Sequence, residues 1–454
     1  MNLETINPAT ETLVEKFQQF KDQKINDILG KCHHAYMEWR MLHLYTRAKY
    51  IKKLANALRT NKNMLAAMIT EEMGKPVAQS LAEVEKCAVM IDYYTHNAPV
   101  YLEDKPIATE ASESYITIQP VGVILGIMPW NFPLWQVLRF AIPTILAGNT
   151  VILKHAPNVC RTALATEKLF HDCELPDGLF KTILLGVNRV PDIIQHPFVQ
   201  GVSLTGSERA GRIVGELAGK NLKKAVLELG GSDPYIIFHD ADLEAAVNTC
   251  VTSRLINCGQ TCISAKRFLV SSKIAAGFEE MFVEKMKEKT FGDPTGNVDV
   301  GPMARPDLRQ QLHEQVNQSV QKGAKLQLGG KIPDKPGYYY PPTVLTNVEP
   351  GMKAWDEETF GPVAAITRFK TELEAIRLAQ DTPYGLGAAL FSQDIDRMKK
   401  LAKYKMMAGS VYINDYVKSD PRLPFGGVKA SGFGRELSHY GLIEFTNIKT
   451  IVVK

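Results

Sequence analysis

The sequence has no excess of charge of one sign and no long apolar run. Its 53 Lys and Arg residues nearly balance 49 Asp and Glu residues, which leaves a net charge of +4. This balance argues against nucleic acid or an anionic membrane as a partner, because both favour a clear basic excess. No stretch reaches the ~18 consecutive apolar residues of a membrane span, and the first residues lack the pattern of a secretory signal. We therefore expect a cytoplasmic protein with neither nucleic acid nor membrane as partner.

Cysteine is sparse, with seven residues in 454, and no C-x-x-C pair occurs. An odd number of scattered cysteines in a chain of this size indicates reduced thiols. One pair, Cys258 and Cys262, lies four residues apart in INCGQTCIS. With no nearby His the pair supplies too few ligands for zinc, so no metal site is predicted. Two interpretations of this pair remain. The cysteines could form a redox switch, or one could be a nucleophile and the other an inert neighbour.

Neither G-x-G-x-x-G nor G-x-x-x-x-G-K-[ST] is present, so no standard phosphate-binding motif marks a nucleotide site. Residues 12–100 have a helical pattern, and from 121 short apolar runs alternate with helical patterns. This alternation predicts an α/β fold with a parallel sheet and helical crossovers. Within it, VSLTGSERAG places Gly206 and Ser207 between a strand and a helix, where free N–H groups suit a phosphate. Ser207 could equally be a simple helix N-cap.

Seven short motifs occur in one order along the chain, between INPAT near the start and IKT near the end. They are MPWNFPLWQ, ILKHAP, LTGSERAG, LELGGSDP, GQTC, EETFGPV and PFGGVKASGFGREL. With these motifs the sequence resembles the NAD(P)-dependent aldehyde dehydrogenase superfamily over nearly its whole length. The stretches PWNFPLWQV, ILKHAPNV, ELGGSDP and GFGRELSHYG are most similar to bacterial succinate-semialdehyde dehydrogenases of the short type.

The resemblance implies three structural parts, in line with a length that exceeds one ordinary hydrophobic core. Residues 1–100 and 121–229 are expected to form a Rossmann-type cofactor-binding domain. Residues 230–430, where a second α/β alternation is visible, are expected to form the catalytic domain. The segments 101–120 and 440–454 are expected to form a small β oligomerisation arm, because an exposed terminal strand invites pairing with another subunit.

The resemblance also implies that Cys262, the last residue of GQTC, is the catalytic nucleophile. A thiolate is a strong nucleophile at neutral pH, and an aldehyde carbon is a good electrophile. Attack produces an oxyanion, for which Asn131 of PWNFP and the backbone N–H of Cys262 match the family's donors. Glu228 of LELGG matches the general base that activates water to hydrolyse the thioester. Glu436 of GRELS matches a glutamate that helps to relay the proton of that water.

Each of these four residues also has a simpler interpretation. Cys262 could be an inert buried thiol, and Asn131 could serve only the turn in which it lies. Glu228 could be a salt-bridged structural carboxylate, although partial burial would raise its pKa toward that of a useful base. Glu436 could be a carboxylate on a helix surface.

Cofactor contacts follow from the same motifs. Lys154 of ILKHAP matches the lysine that contacts the adenosine ribose, and Glu358 of EETFGP matches the glutamate that holds the nicotinamide ribose, with Phe360 beside it. The remaining cofactor positions that the resemblance implies are Trp130, Gly206 and Ser207. Where many NAD-selective members carry a Glu, this sequence has Pro157, which removes the repulsion of a 2′-phosphate. The implied cofactor is NAD, and Pro157 leaves NADP possible.

Trp135 and Arg139 lie four apart on the helix predicted after PWNFP, so they share one face. In the family this face lines the substrate funnel, and Arg139 matches an arginine that binds a substrate carboxylate bidentately. Arg139 could also be an ordinary surface residue. Further funnel positions that the resemblance implies are Ser419 and Phe425. A second arginine of some members is replaced by Ile256, for which Arg254 is a candidate substitute.

These implications predict oxidation of succinate semialdehyde, or a similar carboxylated aldehyde, to the acid with reduction of NAD(P), through a cysteine thiohemiacetal and a thioester. The expected partners are the small aldehyde and further copies of the chain, as a homodimer or homotetramer. Alternatives are a broad-specificity aldehyde dehydrogenase and a CoA-acylating semialdehyde dehydrogenase, against which Glu228 argues because hydrolysis needs a base. A non-catalytic binding protein would not need to keep the matching catalytic and cofactor residues together.

Overall fold

Strands and helices alternate along most of the chain, in a computed structural model that describes residues 3–454. The strands are β1 Leu3–Ile6, β2 Leu13–Phe17, β3 Lys105–Pro106, β4 Glu113–Pro120, β5 Val123–Met128, β6 Thr150–His155, β7 Phe180–Thr182, β8 Val199–Thr205, β9 Lys224–Glu228, β10 Pro234–Ile237, β11 Arg267–Ser271, β12 Lys325–Leu328, β13 Thr343–Thr346, β14 Val363–Phe369, β15 Gly387–Phe391, β16 Ser410–Ile413, β17 Gly432–Phe433 and β18 Thr446–Val453. The α-helices are α1 Asp22–Trp39, α2 Leu44–Thr60, α3 Lys62–Met73, α4 Val77–Tyr101, α5 Trp135–Leu146, α6 Cys160–Asp172, α7 Val190–Gln195, α8 Glu208–Lys220, α9 Leu243–Leu255, α10 Ala275–Lys287, α11 Pro306–Gln321, α12 Lys353–Asp356, α13 Glu372–Gln380, α14 Ile395–Tyr404 and α15 Ser438–Ile443. Single 3₁₀ turns lie at Val187–Arg189, Ile256–Gly259 and Lys429–Ser431.

The first large sheet has the strand order β17-β9-β8-β5-β6-β7. Strands β5 to β9 run parallel, and β17 joins the edge in the antiparallel direction. The chain therefore moves outward from β5 through β6 to β7 and then returns to the other side of β5 at β8. Ligands of open α/β sheets bind where the strand order reverses in this way, at the carboxyl ends of the strands. The predicted parallel α/β fold is confirmed.

Both faces of this sheet are covered, which explains why its strands read as continuous apolar runs. Along β5, Val123 and Leu125 point into one hydrophobic cluster, while Ile124 points into the cluster on the opposite face. Helices α5 and α6 cover the second of these faces. No helix of residues 3–454 combines the length and apolar character needed to cross a membrane.

A second large sheet has the order β12-β13-β14-β11-β10-β15-β16. All its pairings are parallel except that of β12 with β13. The segment between α9 and β11 contains the GQTC motif, so this sheet supports the predicted nucleophile.

A third, antiparallel sheet has the order β18-β4-β3. Strand β18 pairs with β4 along eight residues, and it leaves Ile448 and Val452 each 59% exposed. This sheet occupies the segments for which a β arm is predicted, although residues 440–443 belong to α15. The edge strand exposes apolar side chains of the kind that a second subunit could cover.

The helical prediction for 12–100 is wrong at its start, because Leu13–Phe17 is a strand that pairs with Leu3–Ile6. The pairing depends on a partner earlier in the chain, which no local periodicity reveals. The rest of the segment is helical, and Gly74 ends α3 in the left-handed conformation with φ of 82°. A Cβ at Gly74 would lie 2.8 Å from the ring of Pro302, so both backbone angle and space favour glycine there.

Candidate active site

A cavity of about 550 Å³ lies at the reversal point of the first sheet, beyond the carboxyl ends of β5, β8 and β9. We call it the first cavity. The predicted site residues on its wall are Trp130, Asn131, Gly206, Ser207, Cys262, Glu358 and Phe360. The fold therefore brings together segments that are far apart in the sequence, because parallel strands deliver their following loops to one edge.

The backbone turns sharply just before the nucleophile. Asn257 and Cys258 have φ of 56° and 58°, and Gly259 has φ of 71°. Left-handed non-glycine residues cost of order 1–3 kcal/mol each, so surrounding contacts must hold them. Arg254 supplies two of these contacts by donating to the carbonyls of Gly259 at 2.6 Å and Ala265 at 2.8 Å.

This position also settles the expectation for Arg254 as a substitute for the family's second arginine. Arg254 is fully buried, and it is absent from the walls of the cavities that contain Cys262. Its guanidinium is committed to backbone carbonyls, so it stabilises the loop and does not face a substrate.

Cys262 opens onto two cavities, which is the arrangement that a nucleophile between a cofactor and a substrate needs. Burial raises the pKa of its thiol to about 12, while the charges of Lys266 and Arg139 lower it. The thiol is therefore protonated at neutral pH in the free site, and it becomes reactive when a proton acceptor or an added charge favours the thiolate.

Lys266 holds the main chain at the nucleophile. Its ammonium donates to the carbonyl of Cys262 at 2.6 Å and to that of Thr261 at 3.0 Å. It also pairs with a carboxylate oxygen of Glu358 at 3.2 Å. One buried cation thus joins the nucleophile segment to the glutamate predicted to hold the nicotinamide ribose.

Asn131 lies beside this segment with its side chain oriented by the backbone. Its side-chain amide donates to the backbone carbonyl of Gln260 at 2.9 Å, and the backbone carbonyl of Asn131 accepts from the side-chain amide of Asn257 at 2.7 Å. An amide group has two N–H donors, so one remains to face an oxyanion formed near Cys262. The turn interpretation and the oxyanion interpretation are both compatible with this geometry.

Cys258 points away from both cavities. It is fully buried in the hydrophobic cluster of the second sheet, and its Sγ accepts from the backbone N–H of Gly301 at 3.2 Å. Burial raises its pKa to about 12. Both Cys258 and Cys262 are free thiols, which favours Cys258 as a neighbour without a chemical function.

Glu228 ends β9 and is 2% exposed. Within residues 3–454, neither of its carboxyl oxygens has a hydrogen-bond partner, so the salt-bridged interpretation does not hold. Burial raises its pKa well above 4.5, and the nearby charge of Glu436 raises it further. A buried carboxyl without a partner costs stability, and such a group at a reaction site suits a general base. Glu228 is not on the wall of either cavity.

Glu436 forms a buried ion pair with Arg139 and accepts from the hydroxyl of Ser203 at 3.4 Å. The two charged side chains are 5% and 3% exposed. The alternatives of a helix-surface Glu436 and a surface Arg139 are therefore wrong. The guanidinium of Arg139 also lies 4.6 Å from the ring centroid of Phe425, a distance at which cation and ring attract.

A second cavity, of about 430 Å³, lies on the other side of Cys262. The predicted substrate residues Trp135, Arg139, Ser419 and Phe425 all lie on its wall, as does Ile256. The wall also contains Lys86 of α4, which the sequence analysis missed. Its ammonium donates to the hydroxyl of Ser419 at 2.7 Å and lies 4.1 Å from the ring centroid of Trp135. The helical pattern of α4 placed Lys86 on a helix, but only the packing of α4 against α5 brings it to this wall.

The residues predicted for the nicotinamide end of the cofactor lie together in the first cavity. The rings of Trp130 and Phe360 meet edge to face at 5.8 Å. Glu358 accepts from the backbone N–H of Gly231 at 3.2 Å. Ser207 is the N-cap of α8, since its hydroxyl accepts from Ala210 N at 3.3 Å.

Lys154 lies in β6 and Pro157 follows it, and neither is on the wall of the first cavity. Lys154 is 6% exposed, and burial lowers its pKa. Among residues 3–454, no carboxylate contributes to the shift in its pKa. The structure therefore does not bring these two predicted cofactor residues to the wall that carries Trp130, Glu358 and Phe360.

The first sheet carries a cavity at its reversal point, and Cys262 lies on the wall of that cavity and of a second one. This arrangement is typical of α/β enzymes that bind a ligand beside a reactive thiol. The sequence profile of the aldehyde dehydrogenase family matches residues 1–451. The chain belongs to the aldehyde dehydrogenase family. The predicted NAD(P)-dependent aldehyde dehydrogenase fold and enzyme class are confirmed.

Two relatives and one solved structure show how close this similarity is. A succinate semialdehyde dehydrogenase [NAD(P)+] of Escherichia coli is 45% identical, over 98% of this chain and 97% of its own. A probable succinate-semialdehyde dehydrogenase [NADP(+)] of Synechocystis sp. is 43% identical, over 99% of both chains. The crystal structure of succinic semialdehyde dehydrogenase from Streptococcus pyogenes in complex with NADP+ superimposes with a TM-score of 0.97, at 37% identity and 99% coverage of both chains.

Proposed function

We propose that this enzyme oxidises succinate semialdehyde, or a closely similar carboxylated aldehyde, to the carboxylic acid. The observation that carries the proposal is the position of Cys262 between a first cavity of about 550 Å³ and a second cavity with cationic side chains on its wall. The names of the E. coli and Synechocystis relatives support the same substrate.

The residues of the first cavity suit the nicotinamide and phosphate parts of a dinucleotide. The helix α8 begins at its edge with a Ser N-cap, and a helix N-terminus favours phosphate oxygens. Glu358 lies on the wall as a carboxylate that ribose hydroxyls can donate to. When bound, the nicotinamide accepts a hydride. We propose that the first sheet and its helices bind this cofactor, while the second sheet supports the nucleophile segment.

In the proposed acylation, the Cys262 thiol loses its proton to a base and the sulfur bonds to the aldehyde carbon. The carbonyl oxygen becomes an oxyanion, which Asn131 and the backbone N–H of Cys262 stabilise by hydrogen bonds. Loss of a hydride from this thiohemiacetal, for which a bound nicotinamide would be the acceptor, would leave the acyl group on Cys262 as a thioester. Lys266 assists by fixing the main chain at Cys262 and the orientation of Glu358.

In the proposed deacylation, Glu228 removes a proton from water, and the resulting hydroxide attacks the thioester. The carbon–sulfur bond breaks, the acid leaves, and the thiol of Cys262 recovers a proton. Glu436 lies close enough to raise the pKa of Glu228, so it can share the transferred proton. Its ion pair with Arg139 holds Glu436 in place during this exchange.

We infer that both NADP+ and NAD+ are accepted. Pro157 replaces the carboxylate that would repel a 2′-phosphate, and Lys154 has no competing carboxylate partner. A free cation at the adenosine end attracts a phosphate. The relatives named for NADP(+) and NAD(P)+ support this inference.

We further propose a homodimer or homotetramer in the cytoplasm. The exposed apolar edge of β18 supports pairing between subunits. The seven cysteines are all free thiols, which suits a reducing compartment.

The test is a panel of aldehydes with each cofactor, read as NAD(P)H absorbance, in the absence and presence of CoA. Succinate semialdehyde should give the highest kcat/KM, and succinate should form without CoA. Acyl-CoA formation that depends on added CoA would replace the proposal with the CoA-acylating alternative. Equal rates with uncharged aldehydes would favour a broad-specificity enzyme.

A further inference from the structure

The wall of the second cavity contains three cationic side chains and one carboxylate, and only some of the cations form an ion pair. The three cations are Lys86, Arg139 and Lys418, and the carboxylate is Glu83. Arg139 is paired with Glu436, and Lys418 is paired with Asp415 at 2.6 Å. The positive charge of each of these two is therefore already balanced within the protein.

Glu83 is also committed elsewhere. It forms a buried ion pair with Lys75, and its other oxygen accepts from the backbone N–H groups of Leu134 and Trp135 at 2.9 Å each. These bonds anchor the first turn of α5, where the helix has free N–H groups. Glu83 thus fixes the position of Trp135. Its charge raises the pKa of Lys86 from a distance, but the two side chains form no ion pair among the described residues.

Lys86 is consequently a cation with no anion of its own among the described residues. Its contacts are with neutral groups, the hydroxyl of Ser419 and the ring of Trp135. Burial and the charge of Arg139 lower the pKa of Lys86 to about 8. The other carboxylate that raises the pKa of Lys86, Asp420, accepts hydrogen bonds from Nε and Nη2 of Arg422. A partly buried cation in this state is stabilised by any anion that enters.

The geometry points to Lys86, together with Ser419, as the group that binds the carboxylate of the substrate. An ammonium has three N–H donors, and one of them is used on Ser419, which leaves donors for a carboxylate. The same cavity contains Cys262, so a short chain with an aldehyde at one end and a carboxylate at the other can reach both groups. The rings of Trp135 and Phe425 provide apolar walls for the methylene carbons between them.

This inference rests on the proposed function and adds Lys86 to the arginine that the sequence analysis assigns to the substrate carboxylate. Glu436 pairs with Nε of Arg139, while Nη2 of Arg139 is buried with no hydrogen-bond partner among the described residues. Arg139 therefore positions Glu436 and can still face the cavity, and Lys86 supplies the unpaired positive charge that gives specificity for a charged aldehyde.

The experiment compares Lys86→Met, Lys86→Arg and wild type on succinate semialdehyde and butanal, an uncharged aldehyde of equal carbon number. The readout is kcat/KM for succinate semialdehyde divided by kcat/KM for butanal, both at saturating NADP+. Lys86→Met should lower this ratio at least about tenfold, mainly through the KM for succinate semialdehyde, as expected for a lost charge-assisted hydrogen bond. Lys86→Arg keeps the positive charge and should retain most of the preference for succinate semialdehyde. The matched control is Lys418→Met, which removes a paired cation of the same cavity and should keep the ratio.

A second readout does not depend on turnover. Succinate should slow the alkylation of Cys262 by iodoacetamide in wild type and in Lys418→Met, and this protection should be lost in Lys86→Met. If wild type prefers succinate semialdehyde but Lys86→Met keeps both the preference and the protection, the assignment of Lys86 is wrong and the proposed function stands. If wild type shows no preference for the charged aldehyde, the proposed function itself is wrong, and the assignment of Lys86 is overturned with it.

Discussion

The ammonium of Lys266 donates to the carbonyl of Cys262 at 2.6 Å and at the same time pairs with Glu358 at 3.2 Å. One side chain therefore links the proposed nucleophile to the proposed ribose-binding glutamate. The lysine is 1% exposed, so these contacts are not weakened by solvent as surface pairs are. Cofactor binding and nucleophile orientation should consequently depend on the same residue.

Lys266→Met should raise the KM for the cofactor and lower kcat together. The loss of a charge-assisted contact of about 1.5–3 kcal/mol predicts a decrease in kcat/KM of about 10- to 100-fold. Steady-state kinetics with varied NADP+ measure both constants. The exposed Lys273 is the control, and Lys273→Met should match wild type. An unchanged KM for the cofactor would show that Glu358 does not depend on Lys266.

Arg139→Met should destabilise the protein, because it leaves the carboxylate of Glu436 buried without its partner. Breaking a buried pair on one side costs about 3–5 kcal/mol. The double variant Arg139→Met with Glu436→Gln removes both charges and should recover part of the lost stability. Thermal unfolding of the wild type, the two single variants and the double variant completes the cycle. Additive losses would mean that the two side chains do not interact.

Glu228→Gln should allow acylation but block hydrolysis of the thioester. Mixing the variant with substrate and cofactor should release about one equivalent of NAD(P)H per active site, followed by almost no turnover. Stopped-flow absorbance measures this burst. The exposed Glu216 on α8 provides the control, because Glu216→Gln should turn over normally. Absence of the burst would place Glu228 in acylation as well.

The pH dependence of hydrolysis should follow from the raised pKa of Glu228. A carboxyl acts as a base only when it is ionised, and burial favours its protonated form. The rate should therefore be low at acid pH and continue to rise with pH well above 4.5. A profile of kcat against pH, measured where thioester hydrolysis limits the rate, shows this rise. A profile that levels off just above pH 4.5 would contradict the predicted shift.

Alkylation should distinguish the two neighbouring cysteines. Cys262 opens onto both cavities, whereas Cys258 is fully buried with its sulfur bonded to Gly301 N–H. Iodoacetamide under native conditions should modify Cys262 and leave Cys258 intact, as peptide mass analysis would show. Cys262→Ser should abolish dehydrogenase activity, while Cys258→Ser should retain it. Peroxide inactivation that dithiothreitol reverses in wild type but not in Cys258→Ser would instead support the redox switch.

Pro157→Glu should reduce the use of NADP+ more than that of NAD+. A carboxylate at this position would repel a 2′-phosphate, and like charges placed together cost several kcal/mol. We expect kcat/KM for NADP+ to fall at least about tenfold, with a smaller change for NAD+. Pro157→Gln is the control without the negative charge. Equal effects of both variants on both cofactors would mean that the adenosine end lies elsewhere.

The α/β architecture was predictable from residues 121–229 because strands buried on both faces must be continuously apolar. The short strand Leu13–Phe17 was not predictable, because its stability depends on pairing with Leu3–Ile6. The motifs that contain Cys262 and Asn131 could be recognised without a structure, since each is a local run of residues.

The sequence by itself determined the fold class, the family and the residues that resemble its catalytic machinery, because short motifs in a constant order carry that information. Only the tertiary structure decided what the charged side chains do. The motif around Arg139 predicted a carboxylate ligand, and only folding showed that Glu436, far along the chain, pairs with Nε of its guanidinium. Lys86 had no visible significance until α4 packed against α5 and placed its ammonium on the cavity wall. The balance of buried charge is a property of distant segments in contact, and no local pattern contains it.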